Sequence, residues 1–145
     1  MLEQLKTAIF KTHKKEEIHW LFVTLRDANN VMLASNGVVQ TDKILDQLID
    51  ILYHGIVEKY PTAQTLVVDI IGELVLQNDA AKLVATSPTD NGIFVMERLG
   101  GKSGVMLPWT AEAKDMKTAL TMIKQKFWLG GDVEIYTFKT EKFTI

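Results

Sequence analysis

Residues 91–108 constrain the fold of this chain more than any other stretch. They contain two apolar runs, Gly-Ile-Phe-Val-Met and Gly-Val-Met-Leu, separated by a polar and glycine-rich segment. Apolar runs that flank such a segment are typical of a β-hairpin. Pro108 ends the second run, because proline has no N–H to donate to a neighbouring strand. The sequence therefore predicts an antiparallel hairpin here.

Length and composition limit what surrounds this hairpin. The chain has 145 residues, the usual size of one domain, so we predict a single domain over residues 1–145. A net charge of −2 with both signs interspersed argues against a nucleic-acid partner. The absence of cysteine excludes disulfides, thiolate nucleophiles and zinc–thiolate sites. No secretory signal and no long apolar run is present, so we expect a cytoplasmic protein without a membrane partner.

The apolar periodicity predicts three main helices. They cover residues 2–13, residues 43–59 after the N-caps Thr41 and Asp42, and a third segment that Thr110 caps and Gly130-Gly131 ends. The second helix carries the clearest apolar stripe, which consists of Leu45, Leu48, Ile49, Leu52 and Ile56.

Runs rich in β-branched and aromatic residues predict the strands. They are residues 18–25, residues 31–39 with an interruption at Ser35-Asn36-Gly37, residues 65–76 with a bulge or bend at Gly72, the hairpin, and residues 133–138; residues 83–85 are expected to continue the pairing. Because helices and strands do not alternate regularly, we predict an α+β fold with a mostly antiparallel or mixed sheet.

The order of these segments resembles the AMMECR domain family over residues 18–143. The similarity lies in short phrases: Phe-Val-Thr-Leu at 22–25, a long strand around 71–75, Asn-Gly-Ile-Phe-Val at 91–95, Ser-Gly-Val-Met-Leu-Pro at 103–108, and Val-Glu-Ile-Tyr-Thr-Phe at 133–138. The resemblance implies an AMMECR-like fold with a larger and a smaller lobe, and a groove near the glycine-containing second strand.

One segment departs from the family pattern. Where the family has Leu-Arg-Gly-Cys-Ile-Gly, this chain has Met-Leu-Ala-Ser-Asn-Gly at residues 32–37. Ser35 stands in place of the family cysteine and Leu33 in place of the arginine. The resemblance therefore does not carry over any activity that depends on that cysteine and arginine.

Other motifs have structural interpretations that we favour. Gly100-Gly101-Lys102-Ser103 matches the end of a phosphate-binding loop, but Met96 stands where the first glycine should be, and a strand follows instead of a helix. The turn of a hairpin explains it better.

Two further groups of polar residues are candidate sites. Asp69 and Glu73 are four residues apart in a predicted strand and would form an acid/base couple or, as we favour, a solvent-exposed face. The three histidines, His13, His19 and His54, are not spaced with carboxylates as metal ligands are, so we expect no metal site.

These considerations favour a non-catalytic module that binds a small molecule or a protein. The candidate ligand-binding residues are Ser35, Asn36, Gly37, Asp90 and Asn91, with no catalytic residue and no cofactor expected. The alternative is a divergent enzyme that acts on a nucleotide or another small metabolite through the bend at Ser35-Asn36-Gly37, where backbone N–H groups would face a ligand. The sequence leaves the partner and the oligomeric state open.

Overall fold

The computed structural model describes residues 1–38, 41–108 and 114–145. Within these residues the chain forms four α-helices and two four-stranded antiparallel sheets, which confirms the α+β prediction. The elements are α1 (Leu2–Ile9), β1 (Leu21–Arg26), β2 (Met32–Val38), α2 (Leu45–Ile56), β3 (Thr65–Ile71), β4 (Val75–Leu76), α3 (Ala80–Ala85), β5 (Gly92–Glu97), β6 (Ser103–Met106), α4 (Met116–Phe127), β7 (Val133–Phe138) and β8 (Thr140–Thr144). None of the described helices is long and apolar enough to cross a membrane.

The elements group into two compact units. The first contains Met1–Ile71 and Glu141–Ile145, and the second contains Gly72–Thr140. The prediction of one AMMECR-like domain over the whole chain stays a prediction.

The first unit is built on the sheet β2-β1-β3-β8. Alternate residues of β1 point to one face, and they are paired in register with alternate residues of β3. These side chains and the apolar stripes of α1 and α2 form one buried core: Leu5, Ile9, Leu21, Val23, Leu25, Leu45, Leu48, Ile49, Leu52, Ile56, Leu66, Val68 and Ile70. The last strand joins through Leu66 and Ile145, which exchange backbone hydrogen bonds of 3.0 and 2.8 Å.

The second unit is built on the sheet β4-β7-β5-β6. The predicted hairpin is confirmed as β5 and β6, with Gly101 at the turn at a φ of 72°. Phe138 on β7 lies directly across from Gly92, where a side chain on the glycine would collide with the phenyl ring. Ile93 and Val95 of β5 pack against Met116, Ala119 and Ile123 of α4.

Several predicted boundaries were wrong. The segment 65–76 is two strands, because the chain leaves the first sheet after Ile71 and β4 pairs with β7 in the other sheet. Residues 83–85 are helical, because the side chain of Asp79 accepts the N–H groups of Ala81 and Lys82 and starts α3. The strand β8 was not predicted at all.

The helix ends also differ from the predictions. The first helix ends at Ile9, and the second has Ile44 as its N-cap instead of Thr41 or Asp42. The helix α4 is capped by Asp115, while Thr110 lies outside the described residues. It stops at Trp128, which adopts the left-handed conformation before the two predicted glycines.

Candidate functional site

The loop between α1 and β1 positions three of the four side chains in the candidate site. It begins where the carbonyl of Ile9 accepts the backbone N–H of His13 at 3.0 Å. It is then fixed to the start of α2, where the carbonyl of Glu17 accepts the N–H of Leu45 at 2.7 Å. The N-cap of α2 makes no side-chain capping bond, so the loop satisfies an N–H group that the helix leaves free.

Two carboxylates hold the imidazole of His13. Its Nδ1 lies 3.1 Å from Oε2 of Glu17, and its Nε2 lies 2.6 Å from Oε2 of Glu141. An ionised carboxylate only accepts hydrogen bonds, so this arrangement favours the protonated imidazole, in which both ring nitrogens donate. The side chain is 15% exposed, which makes these bonds stronger than those of a surface pair.

The same contacts shift the pKa values of His13 and Glu17. Partial burial alone would lower the pKa of His13, but the hydrogen bonds and charges of Glu141 and Glu17 outweigh it and raise that pKa above 6.5. Desolvation alone would raise the pKa of Glu17, but hydrogen bonds from the backbone N–H of Lys14 and from the imidazole of His13 lower it. Glu17 therefore stays ionised, and its Oε2 accepts both donors.

His19 completes the group and is the least satisfied member of it. Its ring meets the ring of His13 edge-on, with centroids 5.2 Å apart. Its Nε2 is buried and has no hydrogen-bond partner, although the whole side chain is 30% exposed. The nearest carboxylate oxygen, Oε2 of Glu17, is 3.5 Å away, beyond the ordinary N–H···O range of about 2.7–3.2 Å.

The fourth side chain comes from the far end of the chain. Glu141 lies on β8, 128 residues after His13, and its other oxygen is 3.4 Å from the hydroxyl of Thr12. Phe143, two residues further along β8, places its ring 6.3 Å from that of His13. We call His13, Glu17, His19 and Glu141 the histidine–glutamate cluster.

The cluster overturns one expectation from the sequence. His13 and His19 do gather with a carboxylate: one ligand atom each from His13, Glu17 and His19 lies within 4.8 Å of the other two. His54 stands apart on α2, where its Nδ1 lies 3.1 Å from Glu58. The signal in the sequence is the pattern His-x₃-Glu-x-His, which matches neither helical nor strand spacing and so does not indicate a site.

The predicted residues at the second strand have structural roles. The interruption predicted at Ser35-Asn36-Gly37 is wrong, because β2 runs through it in register with β1 and neither Asn36 nor Gly37 has a positive φ. Gly37 lies beneath the ring of Phe22, which occupies the space that a side chain would need. The hydroxyl of Ser35 is 3.3 Å from that of Thr24, and a second hydroxyl is no general base.

The other predicted ligand residues lie in the second unit. Asp90 is exposed, and its backbone carbonyl accepts a hydrogen bond from Lys139 at 3.1 Å. The side chain of Asn91 donates to the carbonyl of Ser87 at 3.0 Å and closes the turn before β5. Both residues are therefore used to shape the loop.

The acid/base alternative at the third strand is also wrong. The prediction placed both residues on one strand, but β3 ends at Ile71, so Asp69 is buried in the strand and Glu73 follows it and is exposed. The solvent-exposed face that we favoured is likewise wrong for Asp69.

Comparison with known proteins shows a similarity of fold and nothing about function. No protein family model and no curated protein matches this chain. A crystal structure of an uncharacterized protein from Pyrococcus horikoshii is similar, with a TM-score of 0.73 over 99% of this chain and 87% of that one. Its sequence identity is 17%, so the likeness extends to the fold and not to function.

Proposed function

We propose that this protein is a divergent AMMECR-like, non-catalytic binding domain whose ligand site is the histidine–glutamate cluster. The observation that carries the proposal is the buried Nε2 of His19, which has no hydrogen-bond partner and faces Glu17. Buried polar atoms in native proteins are nearly always paired, and an unpaired one costs about 1–3 kcal/mol. A ligand that engages this nitrogen explains why such a cost is retained.

The architecture supports the family part of this proposal. The hairpin β5–β6 and the strand β7, which carry much of the AMMECR resemblance, pair side by side in one antiparallel sheet. The α+β organisation also agrees with the resemblance.

The chemistry favours binding over catalysis. Ser35 lies on a regular strand beside another hydroxyl, so the enzyme alternative has lost the bend on which it depended. The cluster itself offers two imidazoles and two carboxylates, which can hold a small polar ligand or an ion through hydrogen bonds and charge.

A ligand-stabilisation screen tests the proposal and its alternative together. The library contains nucleotides, carboxylates, amines and divalent ions, and melting temperatures are compared among wild type, His19→Phe and Ser35→Ala. A ligand at 100 times its Kd adds about 2.7 kcal/mol, or roughly 5–10 °C for a chain of this length.

Each pattern of results has one meaning. Stabilisation that is lost in His19→Phe and kept in Ser35→Ala supports the cluster as the binding site. The reverse pattern assigns the ligand to β2 and supports the divergent enzyme, which Ser35→Ala would then inactivate. If no compound in the library raises the melting temperature of any of the three proteins, a small-ligand function is refuted.

A further inference from the structure

We infer that the ligand of the histidine–glutamate cluster is a divalent transition-metal ion of the zinc type. The ligand atoms are Nδ1 of His13, a carboxylate oxygen of Glu17 and Nε2 of His19, while Glu141 orients the first imidazole. This inference rests on the proposed binding function and names the chemical class of its ligand, against the sequence-based expectation of no metal site.

The spacing of the three side chains suits a small ion. Oε2 of Glu17 lies 3.1 Å from Nδ1 of His13 and 3.5 Å from Nε2 of His19. Four ligands at zinc bond lengths of about 2.0–2.1 Å in a tetrahedron are about 3.3–3.4 Å from one another. These two separations bracket this value, and the ligand atoms of the two histidines lie within 4.8 Å of each other, so the two imidazoles need only approach one another to form the site.

The donor atoms decide the class of metal. Mg²⁺ and Ca²⁺ prefer sites made of oxygen, whereas two imidazole nitrogens and one carboxylate suit zinc, nickel, copper and cobalt. The combination of two histidines and one glutamate is a set of three protein ligands that leaves one coordination position for water or another ligand.

Glu141 has the position of a supporting partner. A histidine that binds a metal through one ring nitrogen almost always donates its other N–H to a carboxylate or carbonyl. His13 has this arrangement here, because its Nε2 lies 2.6 Å from Glu141 while its Nδ1 lies 3.1 Å from Glu17. Metal binding displaces the proton of Nδ1 to solvent, and the carboxylate then keeps the remaining proton on Nε2 and fixes the orientation of the ring.

A permanent ion-pair cluster is the competing interpretation. It accounts for His13, which both glutamates hold, but it leaves Nε2 of His19 buried and unpaired. The pair His54–Glu58 shows what a purely structural contact looks like in the same unit: it has the same 3.1 Å distance, and the imidazole is 57% exposed. That pair is the matched control for the experiment.

The inference is tested by titrating the full chain with metal alone. The protein is stripped with a chelator, dialysed, and titrated calorimetrically with Zn²⁺ and, separately, with Mg²⁺. We expect one equivalent of Zn²⁺ to bind and Mg²⁺ not to compete. Co²⁺ should bind the same site and give the intense visible absorption of a tetrahedral complex.

Variants assign the ligands. His19→Phe and Glu17→Gln each remove a ligand, and each should weaken Zn²⁺ binding by more than the about 10–100-fold expected for Glu141→Gln, which removes only a supporting contact. His54→Ala should leave affinity and stoichiometry unchanged. Circular dichroism of each metal-free variant shows whether it is folded. If His19→Phe does not fold, Glu17→Gln alone tests the assignment of the ligands.

The inference is overturned if Zn²⁺ fails to bind, if His19→Phe and Glu17→Gln bind it as tightly as wild type, or if Mg²⁺ binds as tightly as Zn²⁺. Failure here is distinct from failure of the proposed function. If an organic ligand stabilises wild type but not His19→Phe, and Zn²⁺ does not bind, the proposed binding site is supported and only the assignment of a metal is refuted.

Discussion

Replacing His19 by phenylalanine should make the metal-free protein more stable and abolish ligand binding. The substitution replaces a buried, unpaired Nε2 with a carbon, and it keeps a ring that can meet His13 edge-on. An unpaired buried polar group costs about 1–3 kcal/mol, and since this side chain is 30% exposed the lower end applies. We therefore expect a gain of about 1 kcal/mol, because the larger ring can extend at the exposed edge.

The measurement is urea and thermal unfolding in the presence of a chelator. For a chain of this size, about 1 kcal/mol corresponds to a rise of roughly 2–4 °C in Tm. His54→Phe is the matched control, since that imidazole is exposed and surface substitutions usually stay within about 0.5 kcal/mol. With Zn²⁺ in excess the order should reverse, because only wild type gains binding free energy.

The sign of the effect separates the two roles of His19. If its Nε2 made a useful contact with Glu17, removing it would lower stability by about 0.5–1.5 kcal/mol, the usual net value of a hydrogen bond. A clear fall in the stability of metal-free His19→Phe, with His54→Phe unchanged, would therefore refute the reasoning that the site is kept for binding at a cost to the fold.

Three other substitutions test the fold of the two units. The backbone N–H and the hydroxyl of Thr118 hold the pKa of Asp115 below its ordinary 3.8. The stabilisation from this cap is therefore present above that value and is lost as pH falls through the folded-state pKa. Asp115→Asn still caps the helix but does not titrate, so its urea midpoint should fall less than that of wild type below about pH 4. Gly92→Ala should lower the free energy of unfolding by about 1–3 kcal/mol in urea, because its methyl group collides with the buried ring of Phe138. Lys6→Met removes the ion pairs of 3.0 and 2.8 Å to two partly exposed aspartates of α2 and should cost less than about 1 kcal/mol, an effect that high salt in the same assay should reduce.

The parts of the fold that could be predicted are those with local signals. The stripe predicted for α2 is buried residue by residue, because an amphipathic helix needs only its own spacing to be recognised. The hairpin β5–β6 was also recognisable, because both strands and the turn lie within one short stretch. A signal for α3 was present as well, since Asp79 precedes two alanines, but it was outweighed by the apolar residues that follow.

Glycine and asparagine were misread because their role is tertiary. Asn36-Gly37 was interpreted as a source of positive φ, which is the common local meaning of that pair. In the structure the glycine is on a regular strand and leaves room for the ring of Phe22, its register partner on β1. That requirement comes from the facing strand, so residues 35–37 alone do not reveal it.

The candidate site was missed because no regular element brings its residues together. On a helix of about 100° per residue His13 and Glu17 share a face but His19 points elsewhere, and on a strand His13 and Glu17 are about 13 Å apart. Only an irregular loop can join the three, and this one forms because α1 ends at Ile9 and the start of α2 holds the loop by its carbonyls.

The last member of the cluster, Glu141, lies on a strand that also has no local signal in the sequence. Glu141 lies on β8, whose pairing partner β3 is far away in the sequence, so nothing near residue 141 indicates that it will face His13. If the cluster exists to bind a ligand, its formation depends on the docking of this edge strand, and Glu141→Gln should weaken binding while leaving the β8 backbone bonds between Leu66 and Ile145 in place. Hydrogen exchange at Ile145, unchanged in that variant, would show that the loss comes from the orientation of His13 and not from release of the strand.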